Sequence, residues 1–433
     1  MTHSEAEHHE TLIIGGGPAG LPLLVVLAGG VWPRYRRCPR LEAAAPDLAR
    51  RLAALPGPLT ELDLEQVARV VRPVDLFNLL HRPENGPVPP ERMGMEFIHG
   101  APHDALLLTR GNVGGLWNDV PRRLLTLSPA HWMEFAFHPL MVWAGENGRR
   151  LDPEALIIKQ DLIDYYHSIP ARFGVSDAVV TNCDVERIEP DPAGFRVTAQ
   201  HEGRPRCFTS RRLVYASGQR SRLRRLGIPG EDLPIVSQRY NSPESLPGDR
   251  VLVVGGGRSA DWAATELFDA GRTVHYVMRQ PAANHYRLVS DSLNLPYYAR
   301  LAEIHRSGSP RWRVSFETHL RAVEPDGTLM LEGPSGRWTE PADRVLLEIG
   351  GDVDYSLFHG FPSFTLVEKR DRYRYQCHQL AVHPHNHESV DVPNLYAGGY
   401  LASGINNVVV AMHGATYVIA ADILQRHRDS EHR

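Results

Sequence analysis

Two glycine-rich stretches hold the residues best suited to chemistry. The first, TLIIGGGPAG (Thr11–Gly20), closes a short apolar run with Gly15, Gly17 and Gly20 and opens into LPLLVVLAGG. At this spacing the first glycine allows a tight turn and the second lets a diphosphate lie against the backbone. The third lets the following helix pack onto the strand. That helix then points its free N–H groups at the phosphates. The second stretch, RVLVVGGGRSA (Arg250–Ala260), repeats the pattern with Gly255, Gly257 and Ala260 and sets Arg258 and Ser259 on the turn. Two such loops, about 240 residues apart, predict two dinucleotides, one held and one visiting. The N-terminal loop of such a pair ordinarily takes FAD, and the internal one a nicotinamide donor.

Each loop needs a second strand to carry the adenosine ribose. After the second loop this is Thr273–Arg279, which ends in Arg279 where an NAD site would show an acid. Arginine offers forked, charge-assisted hydrogen bonds to a 2′-phosphate, so NADPH is favoured over NADH. Arg258 and Arg272 could supply the same charge. In the first unit the matching run is Ala105–Thr109, almost ninety residues beyond its loop and ending Thr109-Arg110. Between them lies a Pro- and Arg-rich segment with helical patterns at 41–55, 64–71 and 74–81. We read it as an insert of about 38–100 inside the first βαβ unit. The fold class expected is α/β, with two Rossmann-like dinucleotide-binding domains. The FAD domain would span 1–235 and 345–433, with the NADPH domain, 236–344, inserted into it.

Several stretches together resemble the class B flavin monooxygenase superfamily, most closely its oxidative stress-induced growth inhibitor branch. They are GGGPAGLPLLVVLAGG, the long insert, NVGGLW, LTLSPAHWMEF, DLIDYYHSIPARFGV, YASGQRSRLRRLGIPGEDLP, VLVVGGGRSADWA and VPNLYAGGYLASGINN. The resemblance implies a single-component enzyme in which NADPH reduces FAD and O2 adds at flavin C4a. The resulting (hydro)peroxide would oxygenate a nucleophilic small molecule, by first expectation an amine nitrogen. It implies a Gly-Gly-x-Trp turn at Gly115 and Trp117, and a strand end at Gly218 that meets both cofactors. Gly399 would lie by the flavin, and the amides of Asn406 and Asn407, at the start of a helix over 404–424, would face its pyrimidine oxygen. Ser128 and His131 are the polar catalytic candidates. The branch also lacks the ribose acid, so the Thr109 hydroxyl or backbone would hold that ribose. Two features depart from relatives of the superfamily. The IPGEDLPIVSQRY region has no histidine where N-oxygenating and Baeyer–Villiger enzymes carry one, and Tyr400 stands where disulfide reductases place an Asp.

Other classes find little support. A net charge of −4 gives no reason to invoke nucleic acid or an anionic membrane. No apolar run reaches spanning length, and the acidic, His-bearing start is unlike a signal peptide, so a cytoplasmic protein is expected. The four cysteines are scattered without a Cys-x-x-Cys, which leaves a disulfide reductase no redox pair. His383-Pro-His385-Asn-His387 could present three ligands on one face but reads more simply as a polar loop, and no metal is expected. Lys159-Gln160 suits phosphate or adenine contacts. A β-meander is expected at 178–188, 195–200 and 206–208, with a separate strand returning at 213–218. The alternatives are an NADPH-dependent flavin oxidase or reductase without substrate oxygenation, or a FAD-bearing regulatory protein. Homo-oligomerisation stays open.

Overall fold

The first apolar run folds as strand β1, Glu7–Ile14, and the glycine loop turns it into helix α1, Gly20–Leu27. Every residue of α1 is buried, which explains its uniformly apolar sequence. The computed structural model describes residues 6–84, 86–370, 375–405 and 414–431. After α1 come β2 (Val31–Tyr35), helices α2 (Pro39–Ala44), α3 (Pro46–Ala53), α4 (Leu64–Ala68) and α5 (Pro73–His81), and β3 (Met95–His99). Prolines at the first helical position start α2, α3 and α5, where a missing N–H costs nothing. β2 and β3 pair antiparallel from Val31↔His99 to Tyr35↔Met95 and close the neck of this excursion. The chain then enters β4, Ala105–Leu108, which lies parallel to β1 in the register Thr11↔Ala105. The delayed second strand is therefore real.

Next follow α6 (Leu140–Glu146), α7 (Lys159–Arg172), β5 (Val179–Val180), β6 (Cys183–Asp191), β7 (Gly194–His201) and β8 (Arg204–Tyr215). One correction falls here. The runs at 206–208 and 213–218 are not two strands: β8 is continuous to Tyr215. Its first half pairs antiparallel with β7 and its end pairs parallel with a late strand, while β1 flanks it from Phe208 to Tyr215.

The second unit begins with β9 (Arg222–Leu223), β10 (Val236–Ser237), β11 (Arg250–Gly255), α8 (Arg258–Asp269), β12 (Thr273–Val277), α9 (Ala282–Ser290) and α10 (Pro296–Arg306). It continues through β13 (Trp312–Ser315), an antiparallel meander of β14 (His319–Val323), β15 (Thr328–Gly333) and β16 (Gly336–Pro341), and β17 (Arg344–Glu348). The parallel sheet runs β10-β17-β11-β12-β13. Its faces follow the period of two: Val251, Val253 and Leu346 meet Ala260, Ala263, Ala264 and Leu267 of α8. Leu252, Val254, Val345 and Leu347 meet Leu320, Val323, Leu329 and Leu331 of the meander.

Asp261, fully buried in α8, accepts hydrogen bonds from Tyr276 Oη (2.6 Å) on β12 and Tyr298 Oη (2.8 Å) on α10. Nearby, Trp312 Nε1 donates to His305 Nδ1 (3.3 Å), so the neutral His305 carries its hydrogen on Nε2. That Nε2 donates to His285 Nε2 (3.0 Å). Burial holds His305 down to about 4 and lowers His285 as well, so this chain of rings is neutral.

The chain returns through β18 (Gly351–Asp352), β19 (Leu366–Arg370), β20 (Tyr375–Leu380), β21 (Leu395–Ala397) and a last helix, α11 (Thr416–Glu431). β18 pairs antiparallel with β9, so the two crossings between the units form one ribbon. Arg224 grips Asp352 with two bonds of 2.9 Å beside it. β21 joins β8 and completes the seven-stranded first sheet. The excursion is sewn to α11: Phe77 packs on Tyr417 with ring centroids 5.3 Å apart, and Gln425 Nε2 donates to the carbonyls of Thr60 (3.2 Å) and Leu62 (2.6 Å).

Candidate dinucleotide sites

The C-terminal ends of β4, β1, β8 and β21 lie side by side, and each meets glycine. Gly15 has φ +115°, and a Cβ there would sit 2.3 Å from the Ala216 carbonyl oxygen. On Gly20 it would sit 2.0 Å from the Gly15 oxygen, so strand and helix touch backbone to backbone. Gly17 differs. A Cβ there meets only Gly115 Cα, at 3.7 Å, and the side it faces is open. Gly115 (φ +57°), Gly218 (φ +82°) and Gly399 (φ +62°) complete a rim without side chains. A rim of this kind fits a dinucleotide laid across strand ends.

Thr109 closes β4. Its N–H donates to Val180 O (3.0 Å) and its carbonyl accepts from Cys183 N (2.9 Å). The backbone half of the expectation for this residue is thereby corrected, since those groups are spent on the sheet. The hydroxyl remains, 3.0 Å from where a Cβ on Gly16 would stand.

The turn through Gly115 and Trp117 is held by a residue the sequence reading missed. Asn118 Nδ2 donates to the carbonyls of Asn112 (3.1 Å), Val113 (3.0 Å) and Gly115 (3.1 Å). His167 Nε2 lies 2.9 Å from Asn118 Oδ1 and ties the turn to α7. Lys159 Nζ donates to Asn118 O (2.8 Å) and Val120 O (2.6 Å), and Gln160 to Asp164 (2.6 Å). This corrects their expected use on phosphate or adenine. The chain has one other lysine, Lys369; its buried Nζ donates to Ile405 O (2.9 Å) and lies 4.5 Å from the Tyr400 ring centre. Asn406 and Asn407 lie outside the described residues.

His131 lies within a single 3₁₀ turn, Ala130–Trp132, and Ser128 just before it. Ser128 is half-buried, and its carbonyl accepts the Thr126 hydroxyl (2.7 Å). His131 is buried, with Nδ1 2.6 Å from Pro153 O. A carbonyl only accepts, so Nδ1 carries a hydrogen, and Nε2 is buried without a partner among the described residues. No hydrogen bond joins either residue to the glycine loops. The link runs through α7, where Tyr166 Oη donates to Met133 O (3.1 Å) and His167 holds Asn118. On the other side Arg82, at the end of α5, donates from Nη1 to His131 O (2.5 Å) and stacks 3.8 Å from the Trp132 ring centre. Burial pulls Arg82 down to about 10. Nothing in the sequence, 49 residues apart, signals this contact.

In the second unit a Cβ on Gly255 would lie 2.5 Å from the Glu348 carbonyl oxygen and 2.8 Å from Ala260 Cβ. Gly257 precedes α8 in extended conformation, and the Ser259 hydroxyl accepts from Arg220 Nη1 (3.2 Å). Arg279 stands exposed just past β12, with no ion pair or hydrogen bond among the described residues. Of its two substitutes, Arg272 is corrected, because it sits before β12, at the opposite edge of the sheet. The Arg258 guanidinium lies 5.4 Å from the Tyr298 ring centre, with Nη1 buried and unpartnered among the described residues.

The cysteines do not pair: Cys38, Cys183 and Cys377 are buried and Cys207 is half-buried. Burial pushes the Cys183 and Cys377 thiols up to about 11, which suppresses their thiolates. Among the described residues no group of three His, Cys, Asp or Glu side chains is arranged to hold a metal. Nor is any of their helices long and apolar enough to cross a membrane.

Two dinucleotide-binding folds, the second threaded through the first by a ribbon, define a two-domain oxidoreductase of the nucleotide-linked class. The chain belongs to the pyridine nucleotide-disulphide oxidoreductase family, whose profile matches residues 92–399. The resemblance read from the sequence is borne out over the whole length. Oxidative stress-induced growth inhibitor 1 of Mus musculus is 26% identical, across 98% of this chain and 96% of its own. Among solved structures, bacillithiol disulfide reductase from Staphylococcus aureus superposes with TM-score 0.64 at 18% identity, covering 97% of this chain and 99% of its own. A Kutzneria ornithine N-hydroxylase, solved with reduced FAD, NADP+ and L-ornithine, superposes with TM-score 0.60 at 15% identity, covering 97% and 100%. At those identities the two structures speak for the fold.

Arg82→Met should cost about 2–4 kcal/mol, because a charged hydrogen bond and a ring contact are lost where the His131 carbonyl is buried. Urea unfolding of the purified protein measures it. A change below about 0.5 kcal/mol would show that the insert does not hold this segment.

Proposed function

We propose that the protein is an FAD- and NADPH-dependent monooxygenase acting with O2 on a nucleophilic small molecule, first of all an amine nitrogen. The observation that carries this is the side-chain-free rim at four strand ends combined with four separate thiols that form no pair. Electrons entering from a nicotinamide have no disulfide to leave by, and O2 is the acceptor at hand. We assign the two flanking parts of the chain to FAD and the middle part to NADPH. The expected bounds at 235/236 and 344/345 move outward to the β9–β18 ribbon, because β17 (Arg344–Glu348) is a strand of the second sheet, paired with β10 and β11.

FAD, when bound, supplies hydride acceptance and oxygen activation; the protein supplies binding, orientation and dryness. Gly15 and Gly17 would take its diphosphate at the start of α1, and the Thr109 hydroxyl its ribose. The turn at Gly115–Trp117, with Gly218 and Gly399, would flank the ring system. Asn406 and Asn407 keep the role at the pyrimidine edge that the sequence suggests. Gly255, Gly257, Ser259 and the α8 N-terminus would take the NADPH diphosphate, with Ala260 packed beneath. Arg279, exposed and uncommitted, would take the 2′-phosphate. The unpartnered Nε2 of His131 is free to hydrogen-bond a ligand group, and Ser128 can donate to one. The excursion sutured to α11 keeps bulk water from that side.

Gly17→Val should fold, because the position opens away from the chain, yet purify with little FAD. Normal flavin absorbance per folded protein would remove the first loop from FAD binding. Arg279→Ala should weaken NADPH by roughly 1.5–3 kcal/mol and leave NADH nearly unchanged, read from steady-state KM values for both. Equal effects on the two nucleotides would move the 2′-phosphate elsewhere. The reading as a whole is tested by supplying NADPH with candidate amines and counting both products. Oxygenated amine in step with NADPH consumed is expected. Stoichiometric hydrogen peroxide with every amine would make the protein an oxidase.

A further inference from the structure

Glu348 is the last residue of β17, at the carboxyl edge of the parallel sheet. Its side chain is 9% exposed, yet no hydrogen bond from the described residues reaches the carboxyl. A carboxyl in that state calls for a partner. The one charge acting on it is Arg220, whose Nη2 lies 3.8 Å from Oε2. Arg220 belongs to the linker just beyond Gly218. Its Nη1 donates to Ser259 on the second glycine loop, and its Nε is buried without a partner. Gly351 makes this approach possible, since a Cβ there would lie 3.2 Å from Arg220 Cα.

Sheet order says what the partner is. β11 carries the loop, and β12, with Arg279 just past its end, flanks it on the adenosine side. β17 flanks it on the other side, where a dinucleotide crossing the loop must place its second half. Resting on the NADPH reading above, we propose that Glu348 and Arg220 form the seat for the nicotinamide-riboside half of the cofactor. Arg220 takes the adjoining phosphate oxygens, while Glu348, in its neutral form, hydrogen-bonds the nicotinamide riboside.

Charge explains why the neutral form matters. An ionised Glu348 would repel the diphosphate and hold Arg220 as its own counter-ion. Burial pushes this carboxyl up to about 7, against the opposing pull of Arg220. Below that pH the carboxyl is protonated and the seat is ready. Above it, binding must draw one proton from solvent, so affinity falls as pH rises. Of the other cations in this part of the fold, Arg224 is gripped by Asp352, whereas Arg258 lies 5.4 Å from the Tyr298 ring centre with its Nη1 buried and unpartnered among the described residues, a further donor on the loop itself.

The test is the pH profile of NADP+ affinity between about pH 6 and 8.5, read from the flavin absorbance change of FAD-loaded protein. 2′,5′-ADP, which lacks the nicotinamide half, serves as comparison. Wild type should lose affinity above pH 7 by up to about tenfold per unit relative to Glu348→Gln, whose neutral amide cannot titrate. The cofactor's own phosphate titrates equally in both proteins and cancels. 2′,5′-ADP should give the same profile with either. Arg220→Met should weaken NADP+ by about tenfold at every pH. Superimposable NADP+ profiles for wild type and Glu348→Gln would overturn the seat while leaving the NADPH reading intact. A wild type that binds neither ligand would overturn both.

Discussion

The structure depends on backbone touching backbone at the ends of parallel strands. Gly20 has no room for a methyl group against the Gly15 carbonyl, and Gly15 has none against Ala216. This contact sets the height of α1 over the sheet and the tightness of the turn between them. Ala216 N donates to Ile14 O (2.8 Å) and Gly398 N to Tyr215 O (2.8 Å), so the neighbouring strand ends are levelled against the same line. A substituent at any of these points would lift a helix or spread the strands, and the open rim would close. Gly17, free of this packing, is the exception, and it faces the open side of the rim.

Around that rim, rigidity comes from cations buried or half-buried against carbonyls. Lys159 holds the turn after Trp117, Lys369 holds Ile405, and Arg82 holds His131. Removing such charges from water is costly, and each is compensated by two or more acceptors or by an aromatic face. In a chain with just two lysines, both serve this purpose. The long excursion supplies Arg82, so it is a structural part of the segment carrying His131. Its ties to α11 through Gln425 and Tyr417 give it the same standing at its other end.

Both glycine loops, their strands and helices, and the delayed strand Ala105–Leu108 were legible because each is fixed by local pattern: an apolar run, a turn, an apolar helix. The continuity of β8 was not. Thr209-Ser210-Arg211-Arg212 reads as a polar turn, yet Thr209, Ser210 and Arg212 are buried where the strand exchanges β7 for β21. His8 meets the Thr209 hydroxyl (3.1 Å) and Glu10 meets Arg212 (3.3 Å), compensating polarity that pattern alone assigns to solvent. The meander β14–β16 was not anticipated, although Asp326-Gly327 and Ser335-Gly336 flank its second and third strands with turn residues. The contacts of Arg82 with His131 and of Arg220 with Ser259 and Glu348 join residues with no shared period. No local pattern could have shown them.

The two loops are joined by a short stiff connection. From Ala216 the chain passes through Gly218 and Arg220 into β9, and from Glu348 it returns through Gly350 into β18, so both crossings are paired to each other. Ser221 Oγ accepts from Asp354 N (2.8 Å) and Tyr215 Oη donates to Asp354 O (2.5 Å), fastening the ribbon to the end of β8. Neither crossing can lengthen without breaking these bonds and the Arg224–Asp352 pair. The separation of the two loops is thus set by hydrogen-bonded backbone. Transfer between two bound groups falls steeply when they drift by an ångström, and a ribbon holds that distance better than a single strand of chain. The same ribbon carries Arg220 onto Ser259, so the segment that fixes the distance also reaches into the second loop.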